Sequence, residues 1–138
     1  RPAASDIGGY LKLEESINYK ANSDQVVAST NAGPYPELTN FEEFSTDAGL
    51  MDGIDGNGST TAFRIQAKKA SSTEDIFMRI KAYHRTTGGT ETLLDEVDVG
   101  PLDTTLTEYT GDLTTTASWG TNERLVLKYV IVNNGIPI

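Results

Sequence analysis

The chain has 138 residues, a formal charge of −9, no cysteine and an apolar share of 37%. The length suits one domain. The acidic balance argues against nucleic acid and anionic membrane surfaces, which both demand concentrated Lys and Arg, and the lack of cysteine excludes disulfides, thiolate chemistry and Cys-based zinc sites.

No apolar run approaches the roughly 18 residues of a membrane span. The sequence begins at Arg1 and not at Met, so either a leader was removed or the start lies outside it. Residues 1–9 are small, polar and end in Gly8-Gly9; they read as an extended N-terminal arm. Residues 10–138 read as a single β-sandwich domain. The arm has two readings, a frayed tail or a segment that docks on a neighbouring subunit.

Between Tyr10 and Lys20, Leu11, Leu13, Ile17 and Tyr19 stand among charges and predict one short strand or two. Val26 and Val27 mark another within Gln25 to Thr30. Asn31-Ala-Gly-Pro-Tyr-Pro is a loop, because two prolines so close cannot join a sheet interior. From Leu38 to Phe44, the spacing of Phe41 and Phe44 suits one helical turn as well as a strand. Ser45 to Thr60, rich in Gly and Asp, is the longest predicted loop. Thr61 to Ala67 then alternates, with Phe63, Ile65 and Ala67 on one face and Arg64 and Gln66 on the other. Lys68 to Asp75 is a polar turn that leads straight into the next strand.

Ile76 to Val99 predicts a β-hairpin, around which the rest is organised. Ile76, Met78, Ile80 and Ala82 share one parity, and Arg79, Lys81 and Arg85 share the other, joined by the apolar Phe77 and Tyr83. Gly88-Gly89 supplies the reversal. In the returning arm Leu93, Val97 and Val99 share a parity that Asp95 interrupts. The acids Glu91, Glu96 and Asp98 are placed to face the bases of the first arm.

Gly100-Pro101 breaks the pattern, and Leu102 to Leu113 is a Thr-rich strand region. Thr114 to Asn122 is polar apart from Trp119. Arg124 to Val132 is the strongest strand. Leu125, Leu127, Tyr129 and Ile131 lie on one side, and Val126, Val130 and Val132 on the other. With only Lys128 interrupting, it is expected to be central and buried on both faces. About seven or eight short strands without a convincing helix predict an all-β, antiparallel β-sandwich, jelly-roll-like within that class.

Chemistry-bearing residues are sparse. His84 is the sole histidine, and no nucleophile elbow accompanies it; an edge histidine is the expected role. Asp52, Asp55 and Asn57 form a weak calcium candidate on a Gly-rich backbone. The EF-hand register fails there, with Thr60 at the Gly position and Gln66 at the closing acid, and turn chemistry explains the same residues. The adjacent acids Glu14-Glu15, Glu42-Glu43 and Asp95-Glu96 point to opposite faces of a strand and do not make a glycosidase pair. Trp119, in Ser118-Trp119-Gly120, either caps the core or presents a surface; with Tyr35 it is the candidate glycan contact. No enzyme and no cofactor is expected.

The second half resembles small jelly-roll-like structural modules of tailed bacteriophage virions. The resemblance spans roughly Ala62 to Val132 and is carried by Phe77-Met-Arg-Ile-Lys-Ala-Tyr83-His-Arg, Gly89-Thr-Glu-Thr-Leu-Leu94, Leu106-Thr-Glu-Tyr109-Thr and Thr121-Asn-Glu-Arg124-Leu-Val-Leu-Lys128-Tyr. It implies a non-enzymatic virion protein, foremost a capsid decoration (cement) protein bridging shell subunits. Its partners would be copies of itself, as a trimer, and the major capsid protein. Its place would be the virion surface, after assembly in the host cytoplasm. The partner interface expected on this basis comprises Arg1, Pro2, Ile7 and Tyr10 of the arm and Ile136 and Ile138 of the apolar terminus. A carbohydrate- or receptor-binding module of a fibre or tail tip is the alternative.

Overall fold

The computed structural model describes residues 4–12, 42–54, 60–69 and 75–133. The strand predicted within Gln25 to Thr30 and the Pro34–Pro36 loop lie outside these residues. The described strands are β1 (Leu11–Lys12), β2 (Glu42–Ser45), β3 (Thr60–Ala67), β4 (Ile76–Arg85), β5 (Glu91–Val99), β6 (Thr107–Thr114) and β7 (Arg124–Asn133). No helix occurs among the described residues. One sheet has the order β1-β2-β7-β4-β5 and the other pairs β3 with β6. The two-residue β1 runs parallel to β2, and every other pairing is antiparallel. The chain is an all-β, antiparallel β-sandwich.

Alternation sets which side of each sheet is dry. Ile80 and Ala82 from β4, Val99 from β5 and Leu125 and Leu127 from β7 meet Phe63 and Leu113 from the smaller sheet, with Met51 and Trp119 added from loops. Each Ile, Val, Leu, Phe or Met side chain among them contributes about 1.5–3 kcal/mol on burial. Phe44 of β2 stacks at a tilt on Tyr129, with ring centroids 5.1 Å apart. Burial alone pushes the Tyr129 phenol up to about 12. Phe44 therefore serves a strand, not a helical turn.

β7 lies third of five in its sheet, flanked by β2 and β4. Val126 and Val130, on the face away from this core, are fully buried as well. That two-sided burial is why its sequence reads as a nearly unbroken apolar run.

The β4–β5 hairpin closes through residues 86–90, with Gly89 at φ 92° and its N–H donating to Thr86 O at 3.0 Å. A bulge follows. Ala82 pairs with Asp95, but Tyr83 pairs with Leu93, so Leu94 is the extra residue. The bulge inverts the parity of everything before it in β5. Leu93, expected inside with Val97 and Val99, is instead 46% exposed. Glu91 by the same shift joins Glu96 and Asp98 on the outer face, opposite Arg85, Lys81 and Arg79. Asp95, the polar interruption, has an evident purpose: its Oδ2 accepts the Thr114 N–H at 2.8 Å and ties β5 to β6 across the sheet boundary.

β3 and β4, consecutive among the described strands, lie in different sheets. One further expectation changes. The Thr-rich strand starts at Thr107, and Leu106 before it is 60% exposed.

Gly111 faces Phe63 directly across the β3–β6 pair. A Cβ there would lie 2.6 Å from Phe63 Cζ, and the ring is buried with little room to turn. Gly111→Ala is expected to destabilise the fold by about 1–3 kcal/mol through overpacking. Urea unfolding measures it, and adding Phe63→Leu to the same chain should recover part of the loss.

Candidate functional site

The densest polar constellation lies on the outer face of the larger sheet, where residues 4–12 meet it. Residues 5–10 form a compact turn: the Ser5 N–H donates to Tyr10 O at 2.9 Å, and the Tyr10 N–H to Ile7 O at 3.2 Å. The described part of the arm is thus not extended. It is folded onto its own domain because two of its side chains find partners there. The first is Asp6, whose carboxylate receives both terminal nitrogens of Arg124, at 2.6 and 2.8 Å. This fork holds the Asp6 carboxyl down to about 2. Arg124 also donates to Thr46 O at 3.1 Å, which fixes the guanidinium from behind.

The second is Tyr10. Its hydroxyl donates to Glu91 Oε2 at 2.8 Å. Glu91 is a hub: the same oxygen accepts from Arg85 Nη1 at 3.0 Å, and Oε1 lies 2.7 Å from Lys128 Nζ. Lys128 also approaches Glu43 at 3.5 Å and stands 5.0 Å over the Tyr83 ring. The Arg85 guanidinium lies 5.5 Å from the centre of the Tyr10 ring. Four strands supply the cluster, β2, β4, β5 and β7, and the strap brings Tyr10 to it. Burial on its own would raise the Glu91 carboxyl, but the donors Lys128, Tyr10 and Arg85 outweigh it and hold the group below its usual range. Burial likewise works against the Lys128 charge, and Glu91 more than offsets it, so that ammonium is held more firmly than usual. Tyr10 is pushed up, first by burial and then by its bond to Glu91.

A second constellation sits at one end of the core. His84 meets Trp119 edge-on, with ring centroids 4.8 Å apart. His84 Nε2 lies 3.1 Å from Glu123 Oε1 without the alignment a hydrogen bond needs, and it and Trp119 Nε1 have no hydrogen-bond partner among the described residues. Glu123 accepts the Gly120 N–H, which lowers its carboxyl, with His84 adding to the effect. No hydroxyl or thiol nucleophile is hydrogen-bonded to His84 among the described residues.

The residues singled out from the sequence fall as follows. Ile7 and Tyr10 are half-buried against the body. Arg1, Pro2, Ile136 and Ile138 lie outside the described residues, as do Tyr35, Asp55 and Asn57. Trp119 is 8% exposed and belongs to the core, so of its two readings the cap is the one observed. Asp52 accepts the Asn122 N–H at 2.8 Å and so braces one loop against another. Among the described residues no three acidic or histidine side chains converge as a metal would require. The Glu91 hub escaped the sequence reading, although Lys128, the one charge within an otherwise apolar strand, marks it: a buried ammonium needs a counter-ion.

The cluster around Glu91 and the Asp6–Arg124 pair share one geometric result. Their strong donors and acceptors saturate one another, and their combined effect is to fasten a terminal segment to the sheet. No family model, no curated protein and no solved structure matches the chain.

Proposed function

We propose that this chain is a non-enzymatic virion structural protein, a capsid decoration protein that bridges shell subunits, and that its sandwich is a jelly roll. The observation that supports the jelly-roll part of the reading is the strand order. A jelly roll, its strands lettered B to I along the chain, has sheets ordered C-H-E-F and B-I-D-G. If β2 to β7 are C to H, then β2-β7-β4-β5 is C-H-E-F, and β3-β6 is D-G; β1, which runs parallel to β2 at the edge of the larger sheet, falls outside that order. The antiparallel pairings agree. Architecture does not fix a role; the virion role rests on the resemblance of residues 62–132, and the Glu91 and Arg124 anchors suit a domain that works through a terminal segment.

In this reading each copy touches more than one shell subunit, and weak contacts add over a symmetric array of trimers. The strap sits on its own body in the single chain. The carbohydrate-binding alternative gains nothing from Trp119, which is covered. The test is co-sedimentation: the chain is expected to travel with particles made by the cells that produce it, and a chain lacking residues 1–9 is expected to fall off them. Recovery of the full chain only in the particle-free fraction would sink the proposal.

A further inference from the structure

The strap, residues 4–12, is fastened differently from the strands beneath it. Among the described residues, no member of the core comes from it. Ala4, Asp6, Gly8 and Gly9 are exposed, and Ser5, Ile7 and Tyr10 are only half-buried. The bonds from Ser5 to Tyr10 and from Tyr10 to Ile7 close its turn without reaching the body. The described contacts that do reach the body are polar: Asp6 on Arg124, Tyr10 on Glu91 and under Arg85, and the two-residue pairing of β1 with β2. Segments with few buried apolar contacts and exposed polar bonds open locally, before the whole fold does.

The body gives Asp6 a reason to dock. Arg124 and Arg85 are cross-strand partners on β7 and β4, on one outer face. Like charges so placed repel. Glu91 balances Arg85, and Asp6 balances Arg124. While the strap is docked, its carboxylate and its phenol are therefore occupied by its own domain. We propose that this docking is an autoinhibitory contact: residues 4–12 leave the outer face as a unit while the sandwich stays folded, and only the released strap engages a neighbouring shell subunit. The inference rests on the virion reading above, in which a terminal segment makes the attachment, and it adds how that attachment is gated. A chain whose competent state is a minor fraction binds more weakly by that fraction.

Arg124→Gln loosens the strap from the body side and leaves residues 4–12 unaltered. Glutamine removes the fork and the like charge facing Arg85, and its amide keeps a donor for Thr46 O, so folding is retained. Hydrogen exchange is expected to run about five- to tenfold faster at residues 5–12 in the variant, the scale of a charge-assisted pair near the surface, with β4 and β7 amides unchanged. The wild-type strap is expected to quicken in the same way as salt rises, because the Asp6 side chain is 62% exposed and the pair is open to screening. Both chains are then titrated against particles made without them. The variant is expected to bind tighter, by the factor by which its strap exchange has risen. Strap amides that exchange only together with β7 amides, at every salt concentration, overturn the proposal, since strap and sandwich would then open as one. So does strap exchange that neither the variant nor salt alters. Equal or weaker particle binding by a variant with a loosened strap sinks the gating alone. Binding by neither chain sinks the virion role and the gating with it.

Discussion

Trp119→Ala is expected to cost about 3–5 kcal/mol, the range for emptying a large aromatic site in a core. The ring is 8% exposed, packs among the residues that join the two sheets, and meets His84 edge-on. The turn that follows it is held at both ends, by Glu123 on Gly120 and by Asp52 on Asn122, so little collapse into the cavity is expected. Phenylalanine should behave differently. It keeps much of the packing and removes Nε1, a buried donor with no partner among the described residues, whose desolvation costs about 1–3 kcal/mol. Trp119→Phe is therefore expected to lie much nearer the wild type. Since Trp119 is the sole tryptophan, unfolding in urea is followed by circular dichroism and not by fluorescence. A sugar-stacking platform would give the opposite pattern, with stability nearly unchanged in the alanine variant.

Much of this architecture could be read from side-chain alternation. The period of two placed Ile80, Ala82, Phe63 and Leu127 inward and marked β7 as central, because burial on both faces leaves no polar parity to write. What alternation cannot reveal is an added residue. The Leu94 bulge reverses the faces of Leu93 and Glu91, and no local signal separates it from continuous strand. Glu91 faces Arg85, as its charge suggests and against the parity of Leu93, Val97 and Val99. Long-range choices were hidden as well. Nothing local states that Asp6 meets Arg124 across 118 positions of sequence, or that Tyr10 reaches the far end of the hairpin. The polar setting of Trp119 in the sequence likewise conceals that the loop dips inward.

Glu91→Gln is expected to destabilise the fold by about 2–3 kcal/mol, since it takes the shared carboxylate from Arg85 and Lys128 at a largely buried site and leaves Lys128 with Glu43 alone, at 3.5 Å. Lys128 and Glu91 side chains are 13% and 15% exposed, so water screens the pair only in part. Lys128→Met should cost less, because Glu91 keeps Arg85 and Tyr10 while Met fills the space of the lysine stem. The double variant is expected to fall short of the sum of the two singles, as residues sharing one network do. The pH dependence follows from the directions of the shifts. Glu91 is held below its usual 4.5 and Asp6 near 2 against 3.8, so the stability they lend is complete above those ordinary values and is lost as acid titrates the folded groups below them. Tyr10 and Lys128 are held above 10.0 and 10.5, so their share is complete below those values and lost as alkali carries them off. Wild-type urea midpoints should thus form a plateau bounded by an acid and an alkaline fall. In the Glu91→Gln, Lys128→Met chain the plateau should be lower and both falls shallower, and hydrogen exchange should quicken first in residues 4–12. A double variant with wild-type pH dependence and an unchanged strap would show that Glu91 and Lys128 do not fasten it.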